Sequence, residues 1–143
     1  MSIITIINGP NLNLLGQRET GIYGATSFET FLEELKQQFP GVEFRYYQSN
    51  IEGELVTAIQ EAGRVADGIV LNPAAYTHTS VAIGDAIASI QKPVVEVHIS
   101  NIYTREDFRK ISHVSAKAVG SIIGLGLPGY KLAVDFLMNR ENG

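Results

Sequence analysis

Two of this chain's histidines, His78 and His98, stand among residues suited to proton transfer. In "VVEVHISN", Glu96 and His98 are two apart within an apolar run, so on a strand they share one face. A carboxylate inside such a run is costly to bury unpaired, and His98 is its nearest partner. A Glu hydrogen-bonded to one imidazole nitrogen fixes the tautomer and favours the imidazolium, which prepares a general acid. The same pair would also serve simply to pin a strand. The third histidine, His113, reads as structural.

A second group lies in "NGPNLNLLGQRETGIYG", Asn8 to Gly24, which places Asn8, Asn11, Arg18 and Tyr23 among four glycines. It joins the strand-like "IITII" to a helical pattern and takes seventeen residues to do so. Such loops usually need roughly two to six residues, so this one is expected to be functional or disordered. A Tyr, with a free pKa near 10, acts as a base near neutrality only beside positive charge. Arg18, or Arg105 further along, offers that charge; a surface Arg and an anchoring Tyr are the plainer alternative. Asn8 and Asn11 are also ordinary turn formers beside Gly9 and Pro10, and Asn72-Pro73 reads equally as a turn.

The segment "THTS" puts His78 at the start of a helical pattern, where unpaired N–H groups welcome an anion or a polar ligand. A hydrogen bond to the helix start alone would explain it as well. Arg105 and Arg109 are four apart at the start of another expected helix, hence on one face. Cations are unfavourable at that end of a helix, so an anionic or oxygen-rich ligand would account for them, as would a solvated face.

Other chemistries find no support. "GLGLPG", Gly124 to Gly129, matches the dinucleotide pattern, but only fourteen residues follow it, with no strand or acidic partner at the required distance. Its glycines are expected to permit a tight turn and close helix packing. There is no phosphate-binding G-x-x-x-x-G-K-[ST], no H-E-x-x-H and no metal-ligand spacing, so no cofactor and no metal are expected. The strand ends that would carry the acidic residues and Lys of a receiver domain hold Asn and Gly. Net charge is −4 with a pI of about 5.3 and no basic stripe, which argues against nucleic acid. The chain has no cysteine, excluding disulfides and thiol catalysis and agreeing with a reducing compartment. The apolar start "SIITIIN" lacks a basic flank and is too short to span a bilayer. No membrane is expected as a partner, and the chain is expected to be cytoplasmic.

The elements that must position these residues follow from periodicity. Five apolar runs, Ile3–Ile7, Val42–Gln48, Gly68–Asn72, Val94–Ile99 and Ala118–Gly124, read as strands. The first, third, fourth and fifth are apolar nearly throughout, as in parallel strands covered on both faces. The second alternates and reads as an edge. Between them lie five expected helices. The first opens on a capping box of Thr26 and Glu29; the second runs from about Glu52 to Ala66 with Leu55, Ile59 and Ala62 on one face. The third covers about Ser80 to Ile90, a short fourth follows Thr104 with Asp107 as box partner, and the fifth follows Pro128. The tail "NRENG" is expected to fray. Alternating strands and helices in 143 residues imply one domain, residues 1–143, with an α/β sandwich and flavodoxin-like strand order 2-1-3-4-5. Ligands bind such sheets beyond the C-terminal strand ends, where Asn8, Asn11, Asn72, His78, His98 and Ser100 would share a rim.

With these residues assembled, the chain resembles the type II 3-dehydroquinases, enzymes of the flavodoxin-like class. The resemblance rests on "NGPNLNLLGQRE…YG", "LNPAAYTHTSVAIGDA", "EVHISNIYTREDFR" and "GSIIGLGLPGY", in that order, and covers nearly the whole chain. It implies dehydration of 3-dehydroquinate to 3-dehydroshikimate by anti elimination through an enolate, without a cofactor. Tyr23 would match the base at C2, and Arg18 the loop Arg that keeps this Tyr acidic. Asn11 would hold a water at the enolate oxygen, and His98, oriented by Glu96, would match the acid for the C1 hydroxyl. Asn72 with the Ile99 and Ser100 backbone would hold the carboxylate; His78 and Arg109 would bind ring hydroxyls, with Arg105 also at the site. Asp85 would reach an adjoining subunit's site in a dodecamer built from trimers, and the long loop would be a lid. The pathway would be aromatic biosynthesis or quinate breakdown. A non-catalytic flavodoxin-like binding or signalling module is the alternative.

Overall fold

A computed structural model describes residues 1–17 and 26–140. Arg18, Tyr23 and the rest of residues 18–24 of the loop expected as a lid, as well as the last three residues of the tail, lie outside the described residues. Five strands, β1 (Ser2–Asn8), β2 (Val42–Gln48), β3 (Gly68–Asn72), β4 (Val94–His98) and β5 (Gly120–Ile123), form one parallel sheet. Its order is β2-β1-β3-β4-β5, as expected. The helices are α1 (Phe28–Gln38), α2 (Glu52–Val65), α3 (Val81–Ser89) and α4 (Pro128–Asn139).

Alternation along the strands builds a core on each side of the sheet. Ile4, Ile6, Val70, Val95 and Val97 meet Leu32 and Leu35 of α1 and Ala133 and Val134 of α4. Ile7, Ile69, Leu71 and Val94 meet Leu55 and Ile59 of α2 and Ile83 and Ile87 of α3. Every residue of β3 and β4 is buried, which explains why their runs are apolar nearly throughout. β2 alternates in exposure and is an edge strand.

Three expectations need correction. The cap of α1 is Ser27, whose side chain accepts from the Thr30 N–H at 3.2 Å; Thr26 does not serve, and Glu29 lies in the first turn, where the helix dipole favours it. The fourth expected helix does not form. Two short 3-10 turns, Ile102–Thr104 and Asp107–Lys110, stand there instead, followed by an irregular strap over residues 111–119. Side chains divert the backbone bonds a helix would need: Asn101 accepts from the Tyr103 N–H, and Ser112 Oγ accepts from the N–H groups of Val114 and Ser115. Finally, β5 is shorter than expected and only partly buried, because it is the other edge of the sheet.

The long connection after β1 is anchored at its near end. A 3-10 turn over Leu12–Leu14 follows Asn11, and Leu12 and Leu15 are buried in the α1/α4 core. The "GLGLPG" segment makes the expected turn. Gly124 and Gly126 have φ of 87° and 69°, and their N–H groups bond the carbonyls of His98 and Ile99 at the C-terminal end of β4.

Candidate active site

A cleft of about 180 Å³ opens beyond the C-terminal ends of the strands. Asn11, Asn72, His78, His98, Ile99, Ser100, Arg105 and Arg109 all line it, beside apolar Leu12, Leu15 and Ile102. Glu96 lies one strand step behind His98, fully buried. Asp85 is exposed on α3 and is not part of the lining. A wider hollow between β2 and α2, lined by residues such as Tyr47, Ile51 and Val65, contains no histidine. His113 is exposed, with its N–H bonded to the Thr77 carbonyl.

The Glu96–His98 contact is 2.6 Å, from His98 Nε2 to Glu96 Oε2. The other carboxylate oxygen accepts from Ser115 Oγ and Ser121 Oγ, each at 2.6 Å. Ser121 stands opposite Glu96 in the β4–β5 register, and Ser115 comes from the strap. Burial alone would raise the Glu96 pKa, but bonds from His98 and the two serines outweigh it and hold the carboxyl below its ordinary value. Glu96 is therefore an anion. It binds His98 through Nε2 and leaves Nδ1 as the ring nitrogen available to a ligand. Neither serine was singled out from the sequence; the only signal was that an anion in an apolar strand needs donors.

His78 is buried beside His98, with ring centroids 6.5 Å apart. Its Nδ1 donates to the Ile111 carbonyl at 2.7 Å, so in the neutral ring Nε2 is the acceptor left for a ligand. Burial lowers its pKa from 6.5, the Ile111 carbonyl opposes this, and His98 and Arg109 lower it further. His78 is thus neutral at pH 7. Arg105 and Arg109 reach the cleft from the 3-10 segment, so no helix dipole opposes them. Arg105 lies 3.4 Å from Ser100 Oγ, while Arg109 pairs with exposed Glu106 at 3.1 Å and lies over the Phe108 ring. The Arg109 bond also lowers the Glu106 pKa. The positive side of the cleft suits an anionic, oxygen-rich ligand.

Two asparagines, Asn11 beyond β1 and Asn72 at the end of β3, also line the cleft. Asn11 has φ of 71°, and its N–H bonds Asn50 Oδ1. Ala74 has φ of 53°, a conformation costly for Ala, held by its N–H bond to Asn72 Oδ1 at 3.0 Å. Asn8 is fully buried behind the rim, so of the two asparagines opening the loop only Asn11 lines the cleft. Among the described residues, no three His, Asp or Glu side chains are grouped as a metal would require. No helix among them is long and apolar enough to cross a membrane.

Residues 2–138 match the family model described as dehydroquinase class II. A 3-dehydroquinate dehydratase of Fusobacterium nucleatum is 52% identical, with 97% of this chain and 98% of the relative covered. A catabolic 3-dehydroquinase 1 of Fusarium vanettenii is 51% identical over 96% of both chains. The crystal structure of a type II dehydroquinase from Butyrivibrio crossotus superimposes with a TM-score of 0.92 at 46% identity, covering 96% of this chain and 98% of the other. By sequence over nearly its whole length, and by fold, the chain belongs to the class II dehydroquinase family of lyases.

Proposed function

We propose that this cleft dehydrates 3-dehydroquinate to 3-dehydroshikimate by anti elimination through an enolate, without a cofactor. The observation that carries the reading is the buried Glu96–His98 pair at the cleft, with the carboxylate kept anionic by two serines. An anion behind Nε2 orients the ring and stabilises the charge it carries as an acid.

The proton on C2 passes to the Tyr23 oxygen, with Arg18 supplying the adjacent positive charge. The electrons form an enolate whose oxygen is stabilised through a water held by Asn11. The C1–O bond then breaks, His98 Nδ1 delivers its proton to the departing hydroxyl, and water leaves. Asn72 and the Ile99 and Ser100 backbone hold the carboxylate, His78 and Arg109 the ring hydroxyls, and Arg105 adds positive charge. Two proton transfers and an enolate are within reach of these side chains. A binding or signalling module would have no use for a desolvated acid pair. One relative carries a catabolic name, and the same chemistry serves either direction of metabolism.

Asp85, exposed on α3, is free to reach a neighbouring cleft in a dodecamer of trimers, which we propose as the working assembly in the cytoplasm. The test of the activity is direct. The purified chain, exhaustively chelated and dialysed, should turn over 3-dehydroquinate with growth of the product's enone absorbance. No turnover would overturn the reading, and turnover restored only by a divalent ion would overturn its cofactor-free form. Sedimentation at a dodecamer's mass checks the assembly.

A further inference from the structure

Tyr130 lies in the first turn of α4, directly after the glycine turn, and is completely buried. Its hydroxyl spans the C-terminal ends of the two central strands, 2.7 Å from Asn8 Oδ1 and 2.9 Å from Asn72 Nδ2. The direction of each bond is determined. The Ala74 N–H donates to Asn72 Oδ1, and an N–H can meet only an acceptor, so Nδ2 must face Tyr130. The amide therefore donates to the hydroxyl oxygen, and the hydroxyl proton goes to Asn8 Oδ1. Burial above all pushes the phenol far up from its ordinary value, so it stays a neutral donor. Its ring is held edge-on against Phe28, with centroids 4.9 Å apart.

An amide nitrogen carries two hydrogens. Tyr130 takes one, and the other remains for the cleft that Asn72 lines. We propose that Tyr130 is a positioning residue for substrate recognition: it holds the Asn72 amide so that an N–H, not a carbonyl oxygen, faces the ligand. The cleft is thereby set to accept a carboxylate and to disfavour a hydrogen-bond donor at the same place. The inference rests on the proposed role of Asn72 at the substrate carboxylate.

The experiment is a double-mutant cycle on steady-state kinetics. Tyr130→Phe keeps the ring and removes the hydroxyl. KM should rise about tenfold while kcat stays within about threefold, as for loss of a positioned bond to a charged group. A purely structural role would reduce thermal stability and the active fraction, lowering apparent kcat with KM unchanged; that outcome overturns the inference. In an Asn72→Ala background, adding Tyr130→Phe should raise KM no further, and KM effects that multiply would also overturn it. Asn72→Ala with an unchanged KM would instead sink the reading of Asn72 itself. Should Tyr130→Phe fail to fold, Asn8→Ala removes the acceptor and frees the hydroxyl to turn. KM should then rise with kcat retained, and an unchanged KM overturns the proposal.

Discussion

Glu96 Oε2 lies 2.6 Å from His98 Nε2, on a carboxylate with no exposed surface. Replacing that anion with an amide removes charge-assisted bonds but also the cost of burying charge. Glu96→Gln is therefore expected to lose about 2 kcal/mol of stability and about tenfold in kcat. The folded pKa of Glu96 is below its unfolded value of 4.5, so its stabilisation is complete above 4.5 and fades as pH falls through the folded value. The difference between wild-type and Glu96→Gln unfolding curves should shrink over that acid window. A constant difference would mean that Glu96 is not the group titrating.

Ser115 and Ser121 share one oxygen of Glu96. Removing either donor leaves the carboxylate less well solvated and raises its pKa. The acidic limb of kcat should move to higher pH in Ser115→Ala and in Ser121→Ala, and further in the double variant. Profiles that overlay the wild type would dissociate the serines from the ionisation of the pair.

Proton removal and hydroxyl departure are assigned to different residues, so their variants should differ. Tyr23→Phe should bind substrate yet lose about 10²-fold or more in kcat. His98→Asn should also lose kcat, through a slowed C–O cleavage step, and by more than Glu96→Gln. Single-turnover measurement of hydrogen exchange at C2 separates the two: His98→Asn should retain exchange and Tyr23→Phe should not.

Gly84 makes room for the strap that delivers Ser115. A Cβ there would come within 2.2 Å of the His113 carbonyl oxygen, a backbone atom tethered by the His113 N–H bond to Thr77. Gly84→Ala should cost about 1–3 kcal/mol and reduce kcat with it. Gly53→Ala is the control: nothing lies within 4 Å of its added Cβ in α2, so it should be neutral or slightly stabilising in thermal melts. Equal melting temperatures in the two variants would show that the strap's place does not depend on Gly84.

The strands were legible because they depend on local patterns, and their order because 2-1-3-4-5 is the common arrangement of five such parallel strands. The buried runs of β3 and β4 and the Leu55, Ile59, Ala62 stripe of α2 follow from covering both faces of a sheet. The pairing of Glu96 with His98 was legible for the same reason: a strand's period of two puts them on one face whatever surrounds it. The fourth helix was misread because Asn101 and Ser112 compete for backbone bonds, a contest that apolar spacing does not register.

Ser115, Ser121 and Tyr130 are different. They lie 19, 25 and 58 residues from the groups they bond, and only the β4–β5 register, the strap over α3 and the glycine turn before α4 bring them there. By itself the sequence determined which faces the central strands and α2 would bury, and that Glu96 and His98 would share one face, because both follow from local periodicity. The tertiary structure alone decided which donors keep Glu96 charged and which way the Asn72 amide points. Hydrogen bonds are short and directional, and their partners are chosen by register and close packing between segments far apart in the chain.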